Sequence, residues 1–542
     1  MYDFLKQKDS TRFVHYESIW DDFENDRNVT DVYSMMYEKP WDIEKKMKKY
    51  TDKPYMLCEY AHAMGNSCGG NEKYLDLLKN EHFFGLFVWD FVDQGIKTKT
   101  EDGTEYIGYG GDFGDDPNDG NFCGDGLLFA DRSLSPKMAE MKRLYQNVDF
   151  EAVDAAMGKI KVRNNFMFSD LSEYNLHWQQ ISRSKVIDSG DVSVSAKPGE
   201  TADVNLKLKK NPDGEWYLNV IIELKDAAKW AKAGHVIAKR QFVINEYELK
   251  KTPITGHEMT TRTEYGTLYV SGGELEVRFS RRTGKLYSVR KSGEELLSAP
   301  IMPQFWRAPT DNDRGNHMGV RCAMWKTAGK DASFSIKNVK QNEKTVRVET
   351  EFCLHTFPKE CVGKMIYTIG SNGIHVDFSI PVPSGLPELP QVAVELKIRQ
   401  SYYSLEYLGR GPHENYIDRK QSADIGMYKT EIENLYVPYL KPQEHGERTG
   451  VRFAKLVGSK HTLLFEADKE MEFNVCRWSV DELEEAKHGY ELPKSDELYV
   501  KAVSRQTGVG GYDSWGARTL EEYTNNAGKT YRLGFTLIPE GK

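Results

Sequence analysis

Residues 54–66, PYMLCEYAHAMGN, hold the residue types and spacing that most directly suggest chemistry. A short apolar run leads straight into Glu59, followed by a small-residue loop ending Met64-Gly65-Asn66-Ser67 and then by a helical pattern. If the run is a strand of a (β/α) barrel, Glu59 stands at its C-terminal end, where barrel enzymes place catalytic groups. A carboxylate so placed serves as a nucleophile or a proton carrier. LFVWDFVDQG (86–95) gives a second such point, with Trp89, Asp90, Asp93 and Gln94 closing a strand and bringing an aromatic and two carboxylates to the same rim. Against this, a Glu after a strand is commonly a solvated loop residue or a cap, and a Trp in an apolar strand is commonly core. Pattern alone does not choose.

The elements needed to hold these groups are legible in outline. Residues 1 to about 147 alternate short β-like runs with helical stretches, which predicts a parallel α/β sheet. Four strands are expected, at Phe13–Tyr16, Val32–Met36, Tyr55–Cys58 and Leu86–Phe91, after a helix tail in the first ten residues. A helix over 70–81 would put Tyr74, Leu75, Leu77 and Leu78 on one face, and another is expected over 137–146. From 148 to 247 strands alternate with turn signals such as Asn211-Pro212-Asp213-Gly214, a length that suits one immunoglobulin-like sandwich. From 255 to 542 the strand pattern continues with Gly and Pro punctuation, and a helix-free large double-sheet sandwich is expected.

A chain of 542 residues is too long for one core, since domains hold roughly 100 to 200 residues. Its 39% hydrophobic and 29% charged residues argue against extended disorder. The net charge is −9 with no basic block, so no nucleic acid partner is expected. No stretch approaches the roughly 20 apolar residues of a membrane span, and the start lacks a signal-peptide layout. Seven cysteines, at 58, 68, 123, 322, 353, 361 and 476, never form a CxxC pair. They suggest neither a disulfide scaffold nor a zinc site, and a reducing, cytoplasmic setting is expected. The 12% aromatic content fits sugar-binding platforms, though large sandwiches are aromatic-rich too. The acidic loop 112–119, DFGDDPND, lacks the spacing of a calcium loop.

The segments CEYAHAMGNS, FVWDFVDQ, YGGDFGDDPNDGNFCGDGLLFADR, WRAPTDND, GRGPHENYIDR, YVPYLKPQEHGERTGVR and VGGYDSWG span nearly the whole chain in order. This series resembles the bacterial β-galactosidases of glycoside hydrolase family 2. The resemblance implies a partial (β/α)8 barrel (1–147, strands five to eight), an immunoglobulin-like sandwich (148–247) and a large β-galactosidase-type supersandwich (255–542). It makes Glu59 the nucleophile, Tyr37 the tyrosine holding it, His62 the histidine on the galactose hydroxymethyl side, and Trp89 the indole under the sugar. Phe122, through its carbonyl, and Asp125, through its side chain, match the positions that hold a monovalent cation near the sugar. Trp515 matches the indole that closes the site over the aglycone. The family pattern has Asn where this chain has Asp125, which adds charge at the Na+ position.

The resemblance also implies a retaining mechanism, which needs two carboxyl groups about 5–5.5 Å apart. The family's acid/base lies in an Asn-Glu pair before the nucleophile. Here the Asn-Glu pairs are Asn71-Glu72, Asn80-Glu81, Asn245-Glu246 and Asn342-Glu343, all after Glu59. A full barrel takes about 250 residues, so the acid/base and most Mg2+ ligands are expected before Met1 and the chain alone is expected to be inactive. The implied substrate is a terminal β-galactoside such as lactose, and an oligomer or a partner N-terminal chain is expected. Two other readings stand beside this one: another family 2 specificity, such as glucuronidase or mannosidase, and a non-catalytic carbohydrate-binding or assembly fragment. His62 beside Glu59 favours galactose over the first of them.

Overall fold

The segment that carries Glu59 is a strand. The computed structural model describes residues 1–20, 23, 27–182, 185–209, 214–245, 251–356, 358–399 and 402–541. In it β1 (Tyr33–Met36), β2 (Tyr55–Tyr60) and β3 (Phe83–Val88) form one parallel sheet with β2 central. A central parallel strand is covered on both faces and so reads as a near-continuous apolar run; Tyr55, Met56, Leu57 and Tyr60 are all buried. The helix Pro40–Lys49 links β1 to β2. Pro40 presets its first turn, and Ile43 and Met47, one turn apart, bury its inner stripe.

Between β2 and β3 the helix expected over 70–81 is one α turn, Glu72–Leu75, that tightens into a 3₁₀ turn, Asp76–Lys79. The tightening changes the buried face. At three residues per turn Tyr74 and Leu77 align and are buried, whereas Leu78, expected beside them, is 48% exposed. The strand expected at Phe13–Tyr16 does not form. The Val14 amide donates to Asp31 Oδ2 at 2.8 Å and its carbonyl accepts from the Asp31 amide at 2.8 Å, so no ladder runs to β1. Among the described residues the parallel sheet therefore has three strands rather than four.

Residues 139–252, with 421–428, form a compact unit of their own. A three-stranded sheet (Thr201–Asn205, Lys159–Asn164, Val148–Asp154) and a four-stranded sheet (Val236–Val243, Trp216–Leu224, Tyr174–Ser182, Lys185–Val192) share one core. All pairings are antiparallel. Along Tyr174–Ser182 every second side chain from Leu176 is buried, the period of a strand with one wet face. The turn signal Asn211-Pro212-Asp213 lies outside the described residues, as do Glu246 and the expected boundary at 247.

Residues 1–138, 253–420 and 429–542 make the other unit, which adds to the parallel sheet a five-stranded antiparallel meander (Thr260 to Glu295) and a twelve-stranded sheet. The helix-free expectation for 255–542 is corrected: Asp311–Gly315, Met318–Arg321, Met324–Ala328 and Val480–Glu485 are helical. Thr310 with Asp313, and Ser479 with Glu482, form capping boxes that start two of them. Strand punctuation concealed these signals.

Deep in the large sheet Glu447 is fully buried with neither carboxyl oxygen bonded, and Glu472 accepts from the Gln506 amide at 2.7 Å. Burial first, then the charge of Glu472, pushes the Glu447 carboxyl well above the ordinary 4.5, and burial raises Glu472 as well. The folded chain thus holds protons that the unfolded chain releases. This contribution to stability is complete below the unfolded value and is lost as pH rises through the raised native values. Denaturation midpoints measured from about pH 5 to about pH 9 should decline, and Glu447→Gln should flatten that decline by about 1.4 kcal/mol per unit of native elevation. An unchanged slope in the variant would show that the pair does not carry the proton.

Candidate active site

The C-terminal ends of the three parallel strands meet. Met36 pairs with Glu59 in the ladder, the Tyr37 amide donates to the Glu59 carbonyl at 2.9 Å, and the Trp89 amide donates to the Tyr60 carbonyl at 3.1 Å. Tyr37, with φ 52°, and Ala61, with φ 51°, sit in the left-handed region, a cost of order 1–2 kcal/mol each for a residue with a side chain. The first turns the phenol back over β2, and its hydroxyl donates to Glu59 Oε2 at 2.7 Å. Burial, and then the carboxylate it donates to, raise the Tyr37 pKa far above neutrality, so this proton stays on the phenol.

His62, carried round by the turn at Ala61, is buried. Burial lowers its pKa to about 4, so the ring is neutral at pH 7. Its Nδ1 lies 2.7 Å from Ser514 Oγ, and Ser514 Oγ donates to Asn312 Oδ1 at 2.7 Å. The Asn312 amide nitrogen donates to the Val509 carbonyl at 3.1 Å, which fixes Oδ1 as the acceptor. The single hydroxyl hydrogen of Ser514 is thereby spent, so His62 Nδ1 carries the ring proton and Nε2 presents a bare lone pair. That nitrogen faces Asp125 Oδ2 across 3.6 Å, too far and too alike for a hydrogen bond. A ligand hydroxyl near Nε2 would find an acceptor.

Asp125 is buried, and burial raises its pKa. Its Oδ2 accepts from Trp89 Nε1 at 3.0 Å, which anchors an indole that stays 40% exposed. Its Oδ1 is buried without a hydrogen-bond partner. An orphaned carboxylate oxygen is a group that a hard cation can take up. The Phe122 ring lies 6.0 Å from that of His62. Trp515, 52% exposed, stands edge-on to Tyr37 at 4.9 Å and to His62 at 5.2 Å. Tyr37, Glu59, His62, Trp89, Phe122, Asp125 and Trp515 are therefore linked through contacts around one rim.

Two carboxylates expected there behave differently. Asp93 is buried, with Oδ1 accepting from the Gly126 amide at 2.7 Å, where Gly126 packs closely against the Val92–Asp93 backbone. Burial raises its pKa to about 6. Asp90 is bound to Gln94 Nε2 at 2.6 Å. In the acidic loop, Asp112 accepts from the Tyr109 amide and lies 2.8 Å from His488 Nε2, and Asp115 accepts from the Gly111 amide.

Sequence reasoning missed the support. Ser514 and Asn312 set the His62 tautomer, Lys137 is buried with Nζ donating to the Ala63 carbonyl at 2.5 Å, and Gln443 and Asp311 clamp the loop after β2. Gly65, with φ 54°, lies under that clamp: a Cβ there would stand 2.2 Å from Asp311 Oδ2. Asn312 and Gln443 lay inside WRAPTDND and YVPYLKPQEHGERTGVR, motifs quoted for resemblance alone.

Comparison with known proteins adds an independent line. Residues 1–150 match the glycosyl hydrolases family 2 TIM barrel domain, 160–245 match β-galactosidase domain 4, and 271–537 match the β-galactosidase small chain. The chain belongs to the β-galactosidase family. Similar members are the β-galactosidases of Priestia megaterium, 38% identical over 99% of this chain and 52% of that protein, and of Streptococcus thermophilus, 34% identical over 99% and 54%. That of Halalkalibacterium halodurans is 35% identical over 98% and 53%. The chain thus spans about half the length of the curated relatives it matches. No described helix is long and apolar enough to cross a membrane.

Proposed function

We propose that this chain supplies the nucleophile side of a retaining β-galactosidase, which releases terminal non-reducing β-D-galactose by double displacement. The observation that carries the reading is the Tyr37–Glu59 hydrogen bond at adjacent strand ends, beside a histidine whose free nitrogen can only accept. Glu59 attacks the anomeric carbon, Tyr37 holds the carboxylate in its attacking position, and His62 Nε2 takes a sugar hydroxyl. Trp89 offers the apolar platform and Trp515 covers the aglycone side. Asp125, with the Phe122 carbonyl, would hold a monovalent cation, whose charge offsets the buried carboxylate and orients a sugar hydroxyl. No Mg2+ ligand is assigned to this chain.

The division into a barrel part (1–147), an immunoglobulin-like sandwich (148–247) and a β-galactosidase-type supersandwich (255–542) belongs to the same proposal. Its first part is supported by the TIM barrel description of the family model that matches 1–150, and its second by two antiparallel sheets that share one core. No Asn-Glu pair precedes Glu59, so the acid/base role goes to no residue here. The 542 residues alone should therefore lack the roughly 10² to 10⁴-fold contribution of a general acid.

A panel of nitrophenyl glycosides, run on this chain extended to the length of its relatives, tests the specificity. The galactoside should exceed the glucuronide and mannoside by at least tenfold in kcat/KM. Preference for the glucuronide would reject galactose, and turnover by the 542 residues alone at an ordinary enzymatic rate would reject the inactivity.

A further inference from the structure

We infer that Cys353, His355 and Glu360, at the open end of the large sheet, form a zinc site. The strands Ser333–Gln341, Val346–Leu354 and Cys361–Gly370 pair antiparallel, with Ser333 opposite Cys353 and Leu354 opposite Cys361. Side chains alternate along a strand. Phe352 and Leu354 are buried, so Cys353 and His355 share the outer face. Glu360 precedes Cys361 and comes to the same place from the returning strand. One ligand atom from each of the three residues lies within 4.8 Å of the others.

The local bonds hold the group together without using it up. His355 Nδ1 is 3.3 Å from Glu360 Oε1 and Nε2 is 3.1 Å from Ser333 Oγ. The Thr356 amide donates to the Leu354 carbonyl at 2.8 Å and its hydroxyl to the Lys359 carbonyl at 2.6 Å, which ties Thr356 to both. Cys353 is half-buried while His355 and Glu360 are exposed, so an ion has access. Burial and the neighbouring Glu360 carboxylate raise the thiol pKa in the metal-free chain.

A thiolate, an imidazole and a carboxylate together suit Zn2+, and water can supply the fourth position. Neighbouring ligand atoms around tetrahedral zinc stand about 3.4–3.8 Å apart, as follows from bonds of about 2.0–2.3 Å. The group therefore closes by about 1 Å, within the reach of exposed side-chain rotations. On binding, the Sγ–H bond breaks, the proton leaves to solvent, and sulfur, imidazole nitrogen and carboxylate oxygen each donate a lone pair to the ion, with no change in oxidation state. The absence of any CxxC pair hides this site from sequence: the ligands are spaced C-x-H-x4-E and meet only because the strands pair in register.

The test uses the full 542-residue chain, reduced, freed of metal with a chelator, and titrated with Co2+. A saturable thiolate-to-cobalt charge-transfer band should appear, reach one ion per chain, and be displaced by Zn2+. Cys353→Ser should abolish the band, and Glu360→Gln and His355→Ala should each weaken binding at least tenfold. Cys123→Ser should leave the titration unchanged. His355→Ala and Glu360→Gln replace exposed side chains and Cys353→Ser a half-buried one, and circular dichroism confirms that all three are folded. Lack of a saturable band, its persistence in Cys353→Ser, or unchanged affinity in both His355→Ala and Glu360→Gln overturns the site.

Discussion

Glu59→Gln is expected to reduce kcat by about 10⁴ to 10⁶-fold in the extended enzyme, the scale on which removal of a covalent nucleophile is felt. The amide keeps the size of the carboxylate and still accepts the Tyr37 hydroxyl through its oxygen, so the rim keeps its shape. What disappears is the oxyanion that bonds to the anomeric carbon. A 2-fluoro-galactoside, which traps the glycosyl-enzyme, should label a peptide containing residues 54–66 in the parent and leave the variant unlabelled. Label on another carboxylate, or a loss below about a hundredfold, would remove Glu59 from the role.

Asp313→Ala should cost about 3–5 kcal/mol of stability, the usual result of removing one partner of a buried ion pair. Arg307 is fully buried and fork-bonded to Asp313, with Nε to Oδ2 at 2.9 Å and Nη2 to Oδ1 at 2.9 Å, and also donates to the Gly508 carbonyl at 3.0 Å. The alanine variant strands a guanidinium in the interior. It also removes the carboxylate that accepts from the Thr310 amide at 3.0 Å and starts the helix bearing Asn312. Denaturant titration measures the loss, and a change under about 1 kcal/mol would mean that water reaches Arg307. The same variant should loosen the Asn312–Ser514–His62 chain and raise KM for galactosides.

That Tyr37, Glu59, His62 and Trp89 would gather at one rim was legible because strand ends and family motifs are local signals. Glu59, His62 and Trp89 follow apolar runs directly, and Tyr37 follows one across the sheet. The layer behind them was not legible. Ser514, Asn312 and Gln443 reach the rim from remote segments; they lie inside family motifs, but nothing local says that a serine hydroxyl or a loop amide there turns to the rim rather than to water. The misplaced elements have equally specific causes: Asp31 took the hydrogen bonds that a strand at 13–16 needed, and a 3₁₀ turn rotated Leu78 outward. Asp93 looked like a rim carboxylate because charge in a loop usually faces water, but it lies inside and accepts from the Gly126 amide.

The bond between His62 and Ser514 joins positions 452 residues apart. At about 5–20 residues per second, a ribosome takes on the order of 20 to 90 s to make the chain between them. Throughout that interval the newly made histidine has no serine to fix its tautomer and the strand end no roof. The nascent chain therefore waits in an unfinished state that chaperones and proteases can read, and a truncation before Ser514 would leave Glu59 in place but its neighbour His62 unset.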